Sequence, residues 1–291
     1  QKQKSIIDVQ KKEVEIQKQL LEAKNHEIID SINYAKRLQE AILTPKSEID
    51  KYFPENFLFY LPKDIVAGDF YFFETVASKT DSEGKMTDGH IFYAAADCTG
   101  HGVPGAMVSV VCYNALTRCV KEFGLTDPGK ILDKTRDLIL ETFMKSKHDV
   151  KDGMDISLLQ FQISKKEILN LKWAGANNPL WYIQKNTSQQ NELIEIKGDA
   201  QPIGKSYNQK TFTSHSLPVS LSALYLLTDG YADQFGGPKG KKFKNANLQK
   251  LLLEVADSNS NEIQDNLIKT FTNWKGDLEQ IDDVCVIGIK L

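Results

Sequence analysis

Only four cysteines occur in 291 residues, and no two of them stand at CxxC spacing. That shortage excludes a disulfide scaffold. Cys98, Cys112, Cys119 and Cys285 sit inside apolar stretches and read as buried, reduced thiols of a cytosolic compartment. No apolar run approaches the ~18–20 residues of a membrane span, and no signal peptide opens the chain. A dominant charge is also missing. The 36 basic and 39 acidic residues leave a net charge of −3, which gives no general attraction to nucleic acid or to an anionic membrane. Internal repeats and low-complexity tracts are absent. The apolar share of 41% and charged share of 26% are those of an ordinary globular chain. Its length suits one large domain or two small ones with a substantial core. The chain opens on Gln, which predicts a piece of a longer protein.

Glycine and proline are missing from the first 44 residues, and helix formers run on until Pro45 stops them. Ile7, Val14, Leu21, Ile28, Ala35 and Ile42 recur every seven residues, with Ile6, Leu20 and Tyr34 beside them. Gln10, Gln17 and Lys24 make the second seam position largely polar, so this is half of a coiled-coil stripe. At ~1.5 Å per residue the arm spans roughly 65 Å, too long for one compact domain to bury. A second copy is the economical cover, and the pattern predicts a parallel homodimer that carries a signal from an upstream sensor. The division is therefore a helical linker, 1–45, followed by one domain, 46–291.

From Phe57 the pattern turns to period two and short apolar runs. Strands are expected at 57–61, 65–74, 91–96, 155–163, 167–174, 179–184, 192–196, 211–217, 222–228 and 283–290. Helices are expected at 104–122, 128–145, 245–256 and 260–274, and residues 75–90 read as a polar hairpin loop. Strands in runs and helices in pairs predict an α+β layered sandwich, not a βαβ fold.

Acids mark the ends of these apolar runs. Asp69 lies in IVAGDFYFF, Asp97 in IFYAAADCTGHG, Asp229 in LYLLTDGYADQFGG, and Asp282-Asp283 in QIDDVCVIGI. Any one of them reads as a turn or cap residue. Several such acids, spread from one end of the domain to the other, converge if the strands form one layered core, and convergent carboxylates need positive charge between them. Oxygen donors without sulfur or clear imidazole partners suit Mg²⁺ or Mn²⁺. Two such ions can share a carboxylate, lower the pKa of a water and hold the oxygens of a phosphoryl group. Gly68 and Gly230 are expected to let backbone approach the ions, with a carbonyl beside Asp97 as a further ligand. His101, four residues past Asp97, reads as a general acid for a leaving oxygen, as a water-orienting group, or as a plain loop residue.

Two motifs compete with this reading. Gly100-His101-Gly102-Val103-Pro104-Gly105 matches G-x-G-x-x-G after a strand and before a helix. Asp97-Cys98-Thr99 intervene where a dinucleotide fold turns directly, two strands precede the motif, and no strand–helix alternation follows, so a nicotinamide oxidoreductase is disfavoured. Asp88-Gly89-His90 reads more simply as a hairpin turn.

Together VAGDFY, ADCTGHGVPGAM, WAGANNPLWY, QPIG, LLTDGYADQFGG and DDVCVIGI resemble the SpoIIE-like, RsbU-like branch of the PPM metal-dependent serine/threonine phosphatases, over residues 57–291 and in the family's order. The resemblance implies an α-β-β-α sandwich with two Mn²⁺ or Mg²⁺ ions between its sheets. It also implies phosphoserine or phosphothreonine protein substrates, often STAS-domain anti-sigma-factor antagonists. By resemblance Asp97 bridges the metals, the Cys98 carbonyl is a neighbouring ligand, Asp229 and Asp282 are ligands, and Asp69 is the acid of the GDF motif. Asp283 is the weaker of its pair. Cys285 stands where Thr is frequent, Asn177 lies near the position of an acid for a third metal in other branches, and Asp155 matches the branch without an assigned role. SINYAKRLQEAIL looks like the helix that joins sensors to such domains. The rival from another class is a catalytically silent signalling module on the same surface, which the loss of an expected acid would favour; none is missing.

Overall fold

The computed structural model describes residues 2–78, 88–144, 152–164 and 167–291, with side chains from Gln10 onward. The N-terminal stretch is one helix, α1 (Lys2–Ile42), of 41 residues. Its stripe is bare: Val14 is 62% exposed and Leu21 61%. Gln39 is the buried residue of α1 among those described, and Leu43 just beyond it is buried too.

A short helix α2 (Lys46–Ile49) leads into β1 (Asn56–Leu61), β2 (Phe70–Val76) and β3 (Gly89–Cys98). The helices α3 (Gly102–Lys121) and α4 (Pro128–Met144) come next. They precede β4 (Met154–Ser164), β5 (Glu167–Ala176), β6 (Leu180–Lys185), β7 (Asn191–Ile196), β8 (His215–Leu217) and β9 (Ala223–Leu227). The single turn α5 (Gly230–Asp233), the small hairpin β10 (Phe235–Gly236) and β11 (Lys241–Lys242), α6 (Asn245–Glu254), α7 (Ser260–Lys275) and β12 (Val284–Lys290) complete the chain.

Two five-stranded sheets form, in the orders β1-β12-β9-β6-β7 and β2-β3-β4-β5-β8. Every pairing within them is antiparallel. The sheets face each other through β3, β4, β9 and β12, with α3 and α4 over the second sheet and α6 and α7 over the first. This is the expected α-β-β-α sandwich, and its antiparallel sheets leave no place for a dinucleotide fold. A layer on each side explains why the central strands read as continuous apolar runs. In β9 Leu224 and Leu226 enter the core between the sheets, while Ala223, Tyr225 and Leu227 pack with Leu248, Leu252 and Leu267 of the helices. Each such buried leucine stabilises the fold by roughly 1.5–3 kcal/mol. At α7, Asn259 and Glu262 close a capping box that fixes where the helix starts.

Several boundaries differ from expectation. The apolar run from 65 does not become strand until Phe70, and the run from 211 not until His215. β2 and β3 pair up to Val76 and His90, as a hairpin requires; residues 79–87 of its loop lie outside the described residues. Among the described helices α3 has the length and apolar share of a membrane span, but half of that stretch is buried within the fold, as in a core helix. The four cysteines are free and buried.

Candidate active site

The acids meet because strand ends meet. Asp97 is the penultimate residue of β3, directly opposite Asp155 of β4. Asp69 lies one residue before the Phe70–Ala96 pair, which sets it across from Asp97 on the other side. On the facing sheet Asp229 follows β9 and Asp282-Asp283 precede β12. These two strands are stitched at that end by Thr228 N–H to the Cys285 carbonyl (3.0 Å) and Cys285 N–H to Thr228 Oγ1 (3.0 Å). Asp69, Asp97, Asp229 and Asp282 thus lie toward one edge between the sheets, close enough for their charges to act on one another.

The electrostatics there are those of crowded negative charge. Burial, then the Asp97 charge, pushes the Asp69 carboxyl well above the usual carboxylate range, against a hydrogen bond with Thr228. Burial followed by Asp229, Asp282 and Asp155 pushes Asp97 up to about 8, although Asp69 hydrogen-bonds it. Burial and Asp282 raise Asp229 to about 6. Asp69 Oδ2 is buried without a hydrogen-bond partner. A carboxylate oxygen so placed is costly unless a cation takes it. The donor set is all oxygen, so the residues fit a hard divalent ion. Among the described residues no three His, Cys, Asp or Glu side chains are drawn to the spacing of a metal cluster.

The paired acids of the DD motif divide their labour. Asp283 is buried. Its Oδ1 accepts Lys63 N–H at 2.7 Å, and its Oδ2 accepts Gly68 N–H at 2.7 Å and Asp69 N–H at 3.4 Å. Asp283 is therefore a latch for the 63–69 loop, which leaves Asp282 as the member that acts on Asp97 and Asp229. The two glycines serve a purpose different from the expected one. A Cβ on Gly68 would stand 2.2 Å from the Gly100 carbonyl and one on Gly230 1.9 Å from the Asp283 carbonyl, so both let backbone approach backbone. The same Gly68 position is 3.3 Å from the Cys98 carbonyl, which places that carbonyl beside the Asp69 turn.

Other groups complete the surroundings, some of them flagged by sequence only without a settled role. Asp155 accepts a 2.8 Å hydrogen bond from Asn177 Nδ2, so Asn177 fixes an acid. Together with Asp97, Asp155 lines a cavity of about 170 Å³ whose other walls are Thr99, Gly153, Met154, Pro202 and Gly204. Pro202 and Gly204 belong to the QPIG motif, which the mutual backbone bonds of Met154 and Ile203 pin to β4. His101 sits at the rim, its Nδ1 2.8 Å from Asp64 Oδ2 and its Nε2 3.2 Å from Lys63 Nζ. The one signal for Lys63 and Asp64 was their place just before IVAGD.

With this geometry in view, comparison with known proteins decides the family. Residues 87–291 match the model for stage II sporulation protein E, SpoIIE. The chain belongs to the SpoIIE family. The match begins after Asp69, so α1 and the GDF loop rest on structural likeness. The SiaA-PP2C domain of Pseudomonas aeruginosa is 26% identical with a TM-score of 0.74, over 92% of this chain and 99% of that one. The PP2C phosphatase domain with a regulatory fragment of SpoIIE from Bacillus subtilis is 14% identical (TM-score 0.57) over 81% of this chain and 62% of that one. RsbX, crystallised with magnesium, is 14% identical (TM-score 0.50) over 81% and 94%. A search of curated proteins finds no match. The fold is that of the PP2C phosphatases of SpoIIE, RsbU and SiaA type.

Proposed function

We propose that this SpoIIE-family chain is a metal-dependent serine/threonine protein phosphatase. The observation that carries the reading is the buried, unpartnered Asp69 oxygen beside Asp97 at the edge where Asp229 and Asp282 also end. Asp69, Asp97, Asp229, Asp282 and the Cys98 carbonyl would hold two Mn²⁺ or Mg²⁺ ions, with Asp97 shared between them; magnesium in RsbX supports the choice of ion. Such ions supply an activated water and charge for a phosphoryl group. The chain's own part is to aim the acids. Asp283 fixes the turn before Asp69, and Asn177 holds Asp155. His101, whose Nδ1 is held by Asp64, presents Nε2 as an acceptor that orients a water at the site.

The substrate we assign is a phosphoserine or phosphothreonine of a cytoplasmic signalling protein, a STAS-domain anti-sigma-factor antagonist by family resemblance. Regulation enters through α1, as a homodimer below an upstream sensor. Its support is a contact: Gln39 of α1 donates to the Ala67 carbonyl (2.7 Å) and accepts Ala67 N–H (3.1 Å), two residues before Asp69. The test is hydrolysis of p-nitrophenyl phosphate with Mn²⁺, with Mg²⁺ and with EDTA, then of a phosphorylated STAS domain. Activity that survives complete metal removal would end the metal-dependent reading. Metal binding without turnover on either substrate would favour a silent signalling module.

A further inference from the structure

Lys63 differs from the other lysine at this edge. Lys242, which acts on Asp229, is held by Asp233 at 2.6 Å. Lys63 lies on the loop that runs into Asp69, tied by its backbone to Asp283, yet among the described residues its ammonium pairs with no carboxylate. Its partner is His101 Nε2 at 3.2 Å. An ammonium only donates, so Nε2 presents its lone pair, and the ring proton sits on Nδ1 toward Asp64 Oδ2. The lysine is also well placed by its backbone. The Asp283 carboxylate takes Lys63 N–H on one oxygen and Gly68 N–H on the other, so one side chain sets both this lysine and the turn into Asp69. A cation built into an acidic edge but left without an acid is free to meet an anion from outside.

We propose that Lys63 is the phosphoryl-recognising residue of the site: its ammonium leaves His101 Nε2 for a non-bridging oxygen of the substrate's phosphate. The inference rests on the phosphatase reading and adds to it the group that greets the anion. A phosphate dianion approaching these acids is repelled by every carboxylate that a metal has not neutralised, and a rim ammonium offsets that repulsion where the oxygens still face solvent. His101 acts as the resting place of the lysine between turnovers.

The experiment compares the wild-type chain with Lys63→Met and Lys63→Arg, all loaded with Mg²⁺. Inorganic phosphate is titrated into each by calorimetry, and KM and kcat are measured on p-nitrophenyl phosphate. A charge-assisted hydrogen bond is worth roughly a 10- to 100-fold change, so Lys63→Met should weaken phosphate binding and raise KM by about that factor, with a smaller fall in kcat. Lys63→Arg should restore most of both, and Mg²⁺ affinity should stay the same in all three. Equal phosphate affinity in wild type and Lys63→Met would overturn the proposal, as would an arginine variant no better than methionine. Should the wild type bind phosphate but turn over no substrate, the phosphatase reading fails while the calorimetry still decides the role of Lys63.

Discussion

The acidic edge and the N-terminal arm are built on opposite terms. At the edge every backbone segment is fixed from several sides: Asp97 by its ladder to Asp155, the Asp69 loop by Asp283, and Asp229 by the Thr228–Cys285 stitch. Among the described residues of α1 Gln39 alone is buried, and most of the apolar stripe from Val14 to Leu38 faces solvent. The edge holds crowded charge that a fixed scaffold sustains. The arm leaves its stripe uncovered within this chain. A site of the first kind loses chemistry when altered, whereas an element of the second kind loses control.

The sharpest test of that contrast is at Asp97. Asp97→Asn keeps the shape and removes one negative charge from a place argued to hold cations, so turnover should fall by at least ~100-fold while the domain remains folded. Asp229→Asn should behave likewise. Wild-type rates in either variant at saturating Mn²⁺ would move the site elsewhere.

Next in size is the difference between two neighbouring acids. Asp283→Ala leaves three backbone N–H groups of the 63–69 loop without their acceptor, a cost of roughly 2–4 kcal/mol, or about 5–10 °C in Tm. Asp282→Ala removes charge from the edge without cutting the latch, so it should cost activity and little stability. Thermal melts and rates of the two variants side by side check this; equal melting temperatures would refute the latch.

The sequence revealed the acids because each closes an apolar run, and two-sided burial makes such runs visible in one dimension. It also revealed the layers, from strands in series and helices in pairs. What it hid depends on bonds between distant residues. Val66 and Ala67 look like strand, yet Gln39 and Asp283 satisfy the backbone of their loop from 28 and 215 positions away. Residues 211–214 look like strand too, but Asp133 takes Phe212 N–H and Asp199 takes Thr213 N–H, so the ladder begins at His215. Asp155 matched the branch without a role, since only the β3–β4 register sets it opposite Asp97.

The raised carboxyls make a smaller, directional prediction for the metal-free protein. Asp69, Asp97 and Asp229 hold protons more tightly folded than unfolded, so over the window above the ordinary carboxylate pKa the folded state carries more protons. Stability must then fall as pH rises from about 4 toward 8, by about 1.4 kcal/mol per pH unit for each extra proton held. Urea unfolding in EDTA should show higher midpoints at pH 5 than at pH 8. Asp97→Asn should flatten that slope and raise the midpoint at pH 8. A slope of the opposite sign would mean that these acids are ionised and separately satisfied.

The mildest effect belongs to the arm. Gln39 clamps both the N–H and the carbonyl of Ala67 and reaches Ser109 of α3, so it is the one polar bridge from the exposed helix to the turn before Asp69. Gln39→Ala should leave the metal site intact but loosen that turn, changing kcat/KM by a few-fold, which corresponds to roughly 0.5–1 kcal/mol of coupling. The stripe itself buries little per turn because its second seam position is polar, so self-association should be weak, on the order of micromolar. Sedimentation of the whole chain beside one that begins at Lys46 measures the first quantity, and phosphatase rates of the same two proteins measure the second. A concentration-dependent dimer of the long chain only, with a rate that differs from the short chain and loses that difference in Gln39→Ala, makes α1 the input to the site. Two monomers of equal rate at high concentration would leave the helix a spacer and Gln39 a packing residue.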